Sequence, residues 1–84
     1  MRRCIVKRES GGNYRIRSRT TDADGRYAYG AYQMQDPTFH SVTGLPGHAS
    51  DYSKAIQDAA FIKLFANGKG RHHWYLKGAK KQCW

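Results

Sequence analysis

Residues 8–14 read R-E-S-G-G-N-Y, and in this stretch a helical start runs directly into a glycine pair. The stretch contains Glu9, the only glutamate of the chain. In a helix over residues 2–10, Ile5 and Val6 lie four and three positions before Glu9 and share its face, so the carboxyl group is directed toward the core. Because burial disfavours the charged form of a carboxyl group, this pattern predicts a raised pKa for Glu9.

The glycine pair also places Glu9 at a helix end. Gly11 and Gly12 are residue types that end helices, which leaves Glu9 in the last turn, near the negative end of the helix dipole. An ionised carboxylate is disfavoured there as well, so both effects raise the pKa. A carboxyl group that keeps its proton near neutral pH suits a general acid. The alternative is a solvated glutamate paired with a neighbouring arginine, the commoner situation for a single carboxylate.

A short second helix is indicated by strong start and stop signals. Asp36 is its predicted N-cap and Pro37 its first helical residue, while Thr43-Gly44 forms the stop. Residues 11–35, which precede it, have no sustained period. We therefore expect a loop there, with a short hairpin.

The longest helix is predicted to begin at Ser50-Asp51 and to end before Asn67-Gly68. Its apolar residues recur at helical spacing, which indicates the central helix of the core. Trp74 follows in a short apolar segment that we expect to add a last turn to this core.

These elements predict one domain over residues 1–84, because no linker, repeat or low-complexity tract divides the chain. The fold class is mainly α, a small α+β arrangement of three to four helices. A long loop or short hairpin follows the first helix, with a turn at Asp24-Gly25. A chain of this length buries a limited core, so a covalent staple would stabilise it.

Two cysteines, Cys4 and Cys83, lie near the two ends of the chain. A bridge between them would stabilise the fold by about 4 to 5 kcal/mol in the loop-entropy model. Neither a C-x-x-C pair nor a metal-ligand spacing is present, so we predict a Cys4–Cys83 disulfide and an oxidising compartment. The alternative is two free buried thiols in a cytosolic protein.

The chain is strongly basic, with 15 Lys and Arg against 6 Asp and Glu and a formal net charge of +9. An anionic partner surface is expected, and nucleic acid, acidic membranes and bacterial cell walls all meet that description. No stretch has the length of a transmembrane span, and no apolar signal region precedes Glu9. We expect a location outside the cell or at its wall, reached by a signal or delivery segment that these residues do not include.

Two ordered strings carry a family resemblance. Residues 9–14 read E-S-G-G-N-Y, and residues 29–34 read Y-G-A-Y-Q-M and are followed by P-T-F at residues 37–39. With a Gln- and Ala-containing third helix and a closing Gly70…Trp74 segment, this order resembles the lysozyme-like transglycosylase superfamily. The closest resemblance is to the catalytic domain of the resuscitation-promoting factors, and it extends over nearly the whole chain.

The resemblance implies a lysozyme-like fold and cleavage of the β-1,4 bond between N-acetylmuramic acid and N-acetylglucosamine in peptidoglycan. Glu9 matches the catalytic acid of the family, and Gln33 matches a cleft residue that contacts the sugar. Tyr14, Tyr29 and Trp74 match aromatic positions that line or support the cleft, where aromatic faces suit pyranose rings. The alternatives are a core amide for Gln33 and purely structural roles for the aromatic residues.

Neither a cofactor nor a metal ion is expected. The histidines have no convincing ligand spacing; they are His40, His48, His72 and His73.

The second catalytic group is left open by the sequence. Glycosidases that use two carboxylates place them about 5 Å apart for a nucleophile, or more than about 6.5 Å apart when a water must fit. Asp22 and Asp24 are the candidates in the predicted cleft loop, and their alternative is a role in forming the turn. The substrate's own acetamido group or 6-hydroxyl would otherwise complete the reaction, as in lytic transglycosylases.

Two other functions compete with a wall-cleaving glycosidase. One is a non-catalytic cationic module that binds the cell wall or acts as an antimicrobial. The other is a small nucleic-acid-binding protein, suggested by basic residues interleaved with Tyr and Trp. No nucleic-acid motif is present and the basic residues are scattered, so we expect a monomer that binds peptidoglycan glycan strands and the anionic wall surface rather than nucleic acid.

Overall fold

The computed structural model describes residues 2–66, 69–74 and 83. It contains three α-helices and a two-stranded antiparallel sheet, which confirms the coarse prediction of a small, largely helical domain with a short hairpin. The lysozyme-like arrangement in particular stays a prediction. In chain order the elements are α1 (Arg2–Ser10), β1 (Ala28–Tyr29), β2 (Met34–Gln35), α2 (Asp36–Thr43), a 3-10 turn (Ala49–Asp51), α3 (Lys54–Phe65) and a 3-10 turn (Arg71–Trp74).

Helix α1 has the predicted bounds. Ile5 is fully buried and Val6 packs against the core, so one face of the helix is turned inward. The helix ends where Gly11 donates its backbone N–H to the Lys7 carbonyl at 3.0 Å. Gly11 has a positive φ of 65°, a conformation that glycine adopts at little cost and that ends helices.

The loop after α1 folds back on itself around a tight turn. The Gly25 N–H bonds the Asp22 carbonyl at 3.0 Å, so the predicted turn at Asp24-Gly25 is confirmed. Farther from the turn, Arg17 forms an isolated antiparallel bridge with Tyr29. Strand β1, which contains Tyr29, also pairs with β2, and in this pairing Tyr29 lies opposite Met34.

Helix α2 ends as predicted but begins differently. Gly44 is left-handed and its N–H bonds the His40 carbonyl at 2.8 Å, as expected for the stop. The N-cap, however, is Gln35, and Asp36 is already helical. The prediction of Asp36 as N-cap was wrong because its carboxylate accepts from His48 Nδ1 at 2.8 Å instead of capping the backbone.

Helix α3 begins later than predicted. Ala49–Asp51 form a separate 3-10 turn, and the backbone is extended at Tyr52. The Asp51 carboxylate accepts from the His48 N–H at 3.0 Å, which closes this short turn rather than opening the long helix. Ser53 is the N-cap of α3, and its hydroxyl accepts from the Ile56 N–H at 3.3 Å. The predicted stop at residues 67–68 lies outside the described residues, and the α-helix ends at Phe65 with a left-handed cap at Ala66.

Aromatic rings fill the core between α3 and the segments around it. The Tyr32 ring stacks on Phe61 with centroids 4.4 Å apart, and the Trp74 ring meets Phe61 edge-on at 4.9 Å. The predicted last turn at Trp74 is therefore present and packs on the core. The buried hydrophobic residues are Ile5, Ala31, Tyr32, Met34, Phe39, Ala49, Ala60, Phe61, Phe65 and Trp74.

Gln57 is the buried polar residue among the described part of the chain. Its Oε1 accepts from the Ala31 N–H at 3.0 Å. Its Nε2 donates to the carbonyls of Tyr14 and Tyr52, both at 2.9 Å. A Cβ on Gly30 would overlap the Gln57 amide oxygen, so the close approach of this turn to α3 requires glycine.

We expect Gly30→Ala to destabilise the fold more than Gly25→Ala. Both glycines have a positive φ, so both substitutions carry a left-handed cost of about 1 to 2 kcal/mol. Open space surrounds Gly25, whereas Gly30 faces the Gln57 amide, which adds about 1 to 3 kcal/mol of overpacking. Chemical denaturation of the two variants measures the difference, and equal free energies of unfolding would contradict the assigned contact.

Cys4 and Cys83 form the predicted disulfide, with Cα atoms 5.6 Å apart and a sequence separation of 79. The alternative of two free thiols is wrong in this structure. The bridge joins α1 to the end of the chain, and Cys83 packs against the core.

Replacing both cysteines with serine is expected to lower the free energy of unfolding by about 4 to 5 kcal/mol, because the loop closed by the bridge spans most of the chain. Thermal unfolding with and without a reductant checks this expectation on the unaltered protein. The double-serine variant is the control, since a reductant should leave its midpoint unchanged. If a reductant does not lower the thermal unfolding midpoint of the unaltered protein, the expected contribution of the disulfide is wrong.

Candidate active site

Glu9 lies in the last turn of α1, one residue before the helix ends. Its side chain is 28% exposed, and burial raises the pKa of its carboxyl group, with Arg8 acting in the opposite direction. The predicted direction of the pKa shift is therefore confirmed. Its cause is burial on the inward face of the helix that also carries Ile5.

Arg8 connects the end of α1 to the 3-10 turn over Arg71–Trp74. Its Nη2 donates to the Trp74 carbonyl, and its Nε lies 3.9 Å from Glu9 Oε2. That Nε is buried and has no hydrogen-bond partner. Arg8 is 22% exposed, and its bond to the Trp74 carbonyl holds it beside the glutamate. A carboxylate formed at Glu9 would meet a cation with an unused N–H.

Gln33 and Trp74 line one cavity of about 210 Å³. Gln33 has a positive φ of 52°, and its Nε2 donates to the Gly30 carbonyl at 2.9 Å. Trp74 is only 3% exposed, and its Nε1 donates to the Tyr32 carbonyl at 2.9 Å. Trp74 therefore has the structural role that was its alternative, whereas the Gln33 amide is half-buried and bonds within its own turn. The remaining lining residues are Ala28, Tyr32, Met34, Gln35, Thr38, Leu64 and His73.

Tyr14 and Tyr29 line other cavities. The Tyr14 hydroxyl donates to Asp58 Oδ1 at 2.7 Å, and its ring borders a cavity of about 440 Å³ beside α1. The Tyr29 ring stacks on His48 with centroids 3.9 Å apart and borders a cavity of about 320 Å³. The structure thus brings Gln33 and Trp74 together in one cavity and places the two tyrosines at two others.

Asp22 and Asp24 organise the turn between Arg17 and β1. Asp22 Oδ1 accepts from the N–H groups of Arg26 and Asp24 at 3.0 and 2.9 Å, and Oδ2 accepts from Gln35 Nε2 at 2.6 Å. The bond from Arg26, followed by that from Gln35, lowers the pKa of Asp22. Asp24 is exposed and pairs with Arg26 at 3.2 Å. These contacts support the turn-forming alternative, and a catalytic role for either carboxylate stays a prediction.

Asp58 is the anchoring residue that sequence reasoning missed. Its Oδ1 accepts from the hydroxyls of Tyr14 and Tyr32, both at 2.7 Å, while Oδ2 pairs with Arg2 at 3.0 Å and Lys54 at 3.2 Å. Burial raises the pKa of Asp58, but the bonds from Tyr32 and Tyr14 outweigh it and leave the pKa lowered. The one local signal was the Lys54 to Asp58 spacing of four residues on a helix.

The described residues show no cluster of three side chains that would suit a metal ion. Within the same part of the chain, no helix combines the length and hydropathy needed to cross a membrane.

Comparison with known proteins identified no relative: no protein-family model, curated protein or solved structure matches this chain. Any assignment of function therefore depends on the motif strings and on the environments of the residues described above.

The pKa shifts of Glu9 and Asp22 have opposite signs, and so should their effects on stability. Ionising Glu9 disfavours the fold, so its raised pKa removes stability as the pH rises from the unfolded pKa through the folded pKa. Glu9→Gln should therefore be more stable than the unaltered protein at neutral pH and lose that advantage in acid.

Asp22 has a lowered pKa, so its ionised form stabilises the fold above the unfolded pKa, and this stability is lost as the pH falls. Asp22→Asn should be less stable at neutral pH and converge with the unaltered protein in acid.

Chemical denaturation across the acid range measures both differences, and carboxyl-carbon NMR titration gives the Glu9 pKa directly. A Glu9 pKa at or below that of an unstructured peptide would contradict the burial of its carboxyl group.

Proposed function

We propose that this protein is a peptidoglycan-cleaving glycosidase of the muramidase or lytic transglycosylase type. The observation that carries the proposal is the environment of Glu9, whose pKa is raised by burial at a helix end that opens directly into Gly11 and Gly12. A raised pKa is the shift that a general acid needs in order to keep a proton for the oxygen of a leaving sugar. The ordered strings at residues 9–14 and 29–34 supply the substrate class through their family resemblance.

Glu9 acts as the general acid in this proposal. It donates its proton to the glycosidic oxygen between N-acetylmuramic acid and N-acetylglucosamine while an oxocarbenium-like centre forms on the muramic acid ring. The carboxylate left behind lies 3.9 Å from the Arg8 Nε, a buried N–H without a partner. Arg8 therefore stabilises the ionised form that appears as the bond breaks, without preventing protonation beforehand.

The glycan is held on the side where Gln33 and Trp74 share a cavity. Glu9 itself lines none of the three cavities described above, and the support for pairing it with this one is that its neighbour Arg8 binds the Trp74 carbonyl. The Gln33 amide provides a polar contact, and the net charge of +9 concentrates the protein on the anionic wall. The second half of the reaction is performed by Asp22, Asp24, a water or the substrate's own acetamido or hydroxyl group.

Glu9→Gln is expected to lower the rate of wall cleavage by about 100-fold or more, because general acid catalysis contributes 10²- to 10⁴-fold. The rate is measured as loss of turbidity of a wall suspension and as release of soluble fragments from purified peptidoglycan. Ser41→Lys is the matched control, since it raises the formal net charge by one unit, as Glu9→Gln does, at an exposed position of α2 and should cleave at the parent rate.

Mass spectrometry of the products identifies the reaction. Anhydro-muramic ends indicate a lytic transglycosylase and reducing ends a hydrolase. Intact glycan strands after prolonged incubation, or Glu9→Gln acting at the parent rate, would overturn the proposal. Lysis with intact glycan would assign the chain to the competing class of cationic wall-binding or antimicrobial modules.

A further inference from the structure

A second cavity, separate from the one with Gln33 and Trp74, lies beside α1 and the start of α3. It has a volume of about 440 Å³, within the range of small-molecule binding sites. We call it the basic pocket. Its lining comprises four cationic side chains, two glycines and two residues with apolar surface: Arg2, Arg3, Lys7, Lys54, Gly11, Gly12, Val6 and Tyr14.

The charges of the basic pocket are not balanced. Asp58 pairs with Arg2 and Lys54 and offsets one positive charge. Within the described residues, Arg3 and Lys7 have no carboxylate at ion-pair distance. Three positive charges therefore remain uncompensated around one cavity, and their mutual repulsion is relieved when an anion binds.

The helical geometry of α1 keeps this pocket apart from the Glu9 carboxyl group. Arg3 and Lys7 are four residues apart, so their side chains lie on one face, one turn from each other. Lys7 precedes Glu9 by two positions, which places the two side chains about 160° apart around the helix. Lys7 thus points away from the Glu9 carboxyl group, although Gly11 and Gly12, which follow the helix end of the acid, line the pocket as well.

The apolar part of the lining indicates what joins the anionic groups of the ligand. Val6 and the Tyr14 ring form this part, while the Tyr14 hydroxyl is already engaged by Asp58. Lys54 Nζ lies 5.6 Å from the centre of the same ring. A chain of anionic groups joined by short carbon segments matches a lining with both cationic and apolar surface better than a compact inorganic ion does.

We propose that the basic pocket binds the phosphate groups of an anionic wall polymer, a polyol chain linked by phosphodiesters. The choice of the wall as the source of this polymer rests on the proposed function. Phosphodiesters suit this lining because the arginine fork and the lysine ammonium both bind phosphate oxygens, and the pocket offers two side chains of each kind. Several phosphodiesters of one chain also neutralise several charges at once and release their counterions.

Binding of poly(glycerol phosphate) to the full chain tests the proposal, in the Glu9→Gln background so that turnover plays no part. The double variant Arg3→Gln/Lys7→Gln should bind about tenfold more weakly and with a smaller dependence on salt concentration, since two phosphate contacts are lost. The matched control is Arg19→Gln/Lys63→Gln, which removes two exposed cations that do not line the pocket and should bind like the parent. Circular dichroism verifies that both variants are folded.

Three outcomes would overturn the proposal. Equal affinities of the two double variants would exclude the pocket as the binding site. Polyglutamate of matched length binding as tightly as poly(glycerol phosphate) would exclude phosphate recognition. Mixed-sequence DNA binding more tightly, with the same loss in Arg3→Gln/Lys7→Gln, would assign the pocket to nucleic acid.

Failure of this proposal is distinguishable from failure of the proposed function. With Glu9 intact, peptidoglycan stripped of phosphate polymers should be cleaved equally by the parent and by Arg3→Gln/Lys7→Gln. Absence of cleavage together with tight polymer binding would reject the glycosidase and leave the phosphate-binding chemistry of the pocket in place.

Discussion

The buried amide of Gln57 is the interaction on which the rest of this fold depends. The two strands of the sheet contain only two residues each, so most backbone groups of the long loop have no ladder partner. Gln57 supplies partners from α3, accepting from Ala31 and donating to the carbonyls of Tyr14 and Tyr52. A buried amide without these partners would cost about 1 to 3 kcal/mol per unsatisfied group, so the loop and the helix can pack closely only in this register.

Asp58, which follows Gln57 in α3, holds α1 in place by side-chain hydrogen bonds and an ion pair. Asp58 receives the hydroxyls of Tyr14 and Tyr32 and pairs with Arg2, which fixes the start of α1. Arg8 fixes the other end of α1 through the Trp74 carbonyl. Held at both ends, α1 keeps Ile5 in the core. The partial burial of Glu9 is thus a consequence of contacts made elsewhere along its helix.

The parts of this structure that depend on neighbours in sequence were predictable. Gly11 and Gly44 end their helices because glycine adopts positive φ, and the shared face of Ile5 and Glu9 implied the direction of the pKa shift. The start of α3 was placed too early although the deciding contact is local: the His48 N–H binds the Asp51 carboxylate three residues away, so Asp51 closes a separate turn and Ser53 caps the helix.

In the candidate site, features set by contacts between residues far apart in sequence were not predictable. The separation of Tyr14 and Tyr29 into different cavities follows from a hydroxyl bond to Asp58 and a ring stack on His48. Both contacts join residues far apart in sequence, and local patterns contain no information about them. Asp58 itself could be recognised only as a partner of Lys54, so its role as the common acceptor for two tyrosines required the three-dimensional structure.

The Cys4–Cys83 bridge has a mechanical consequence. The Cα atoms of Cys4 and Cys83 are 5.6 Å apart, and a covalent bond joins the two residues. Tension applied at Cys4 and Cys83 would pass directly through the sulfur atoms. No tension would reach the core, α3 or the turn that Gln57 binds. A force that unfolds a domain without such a bridge would therefore leave this one folded.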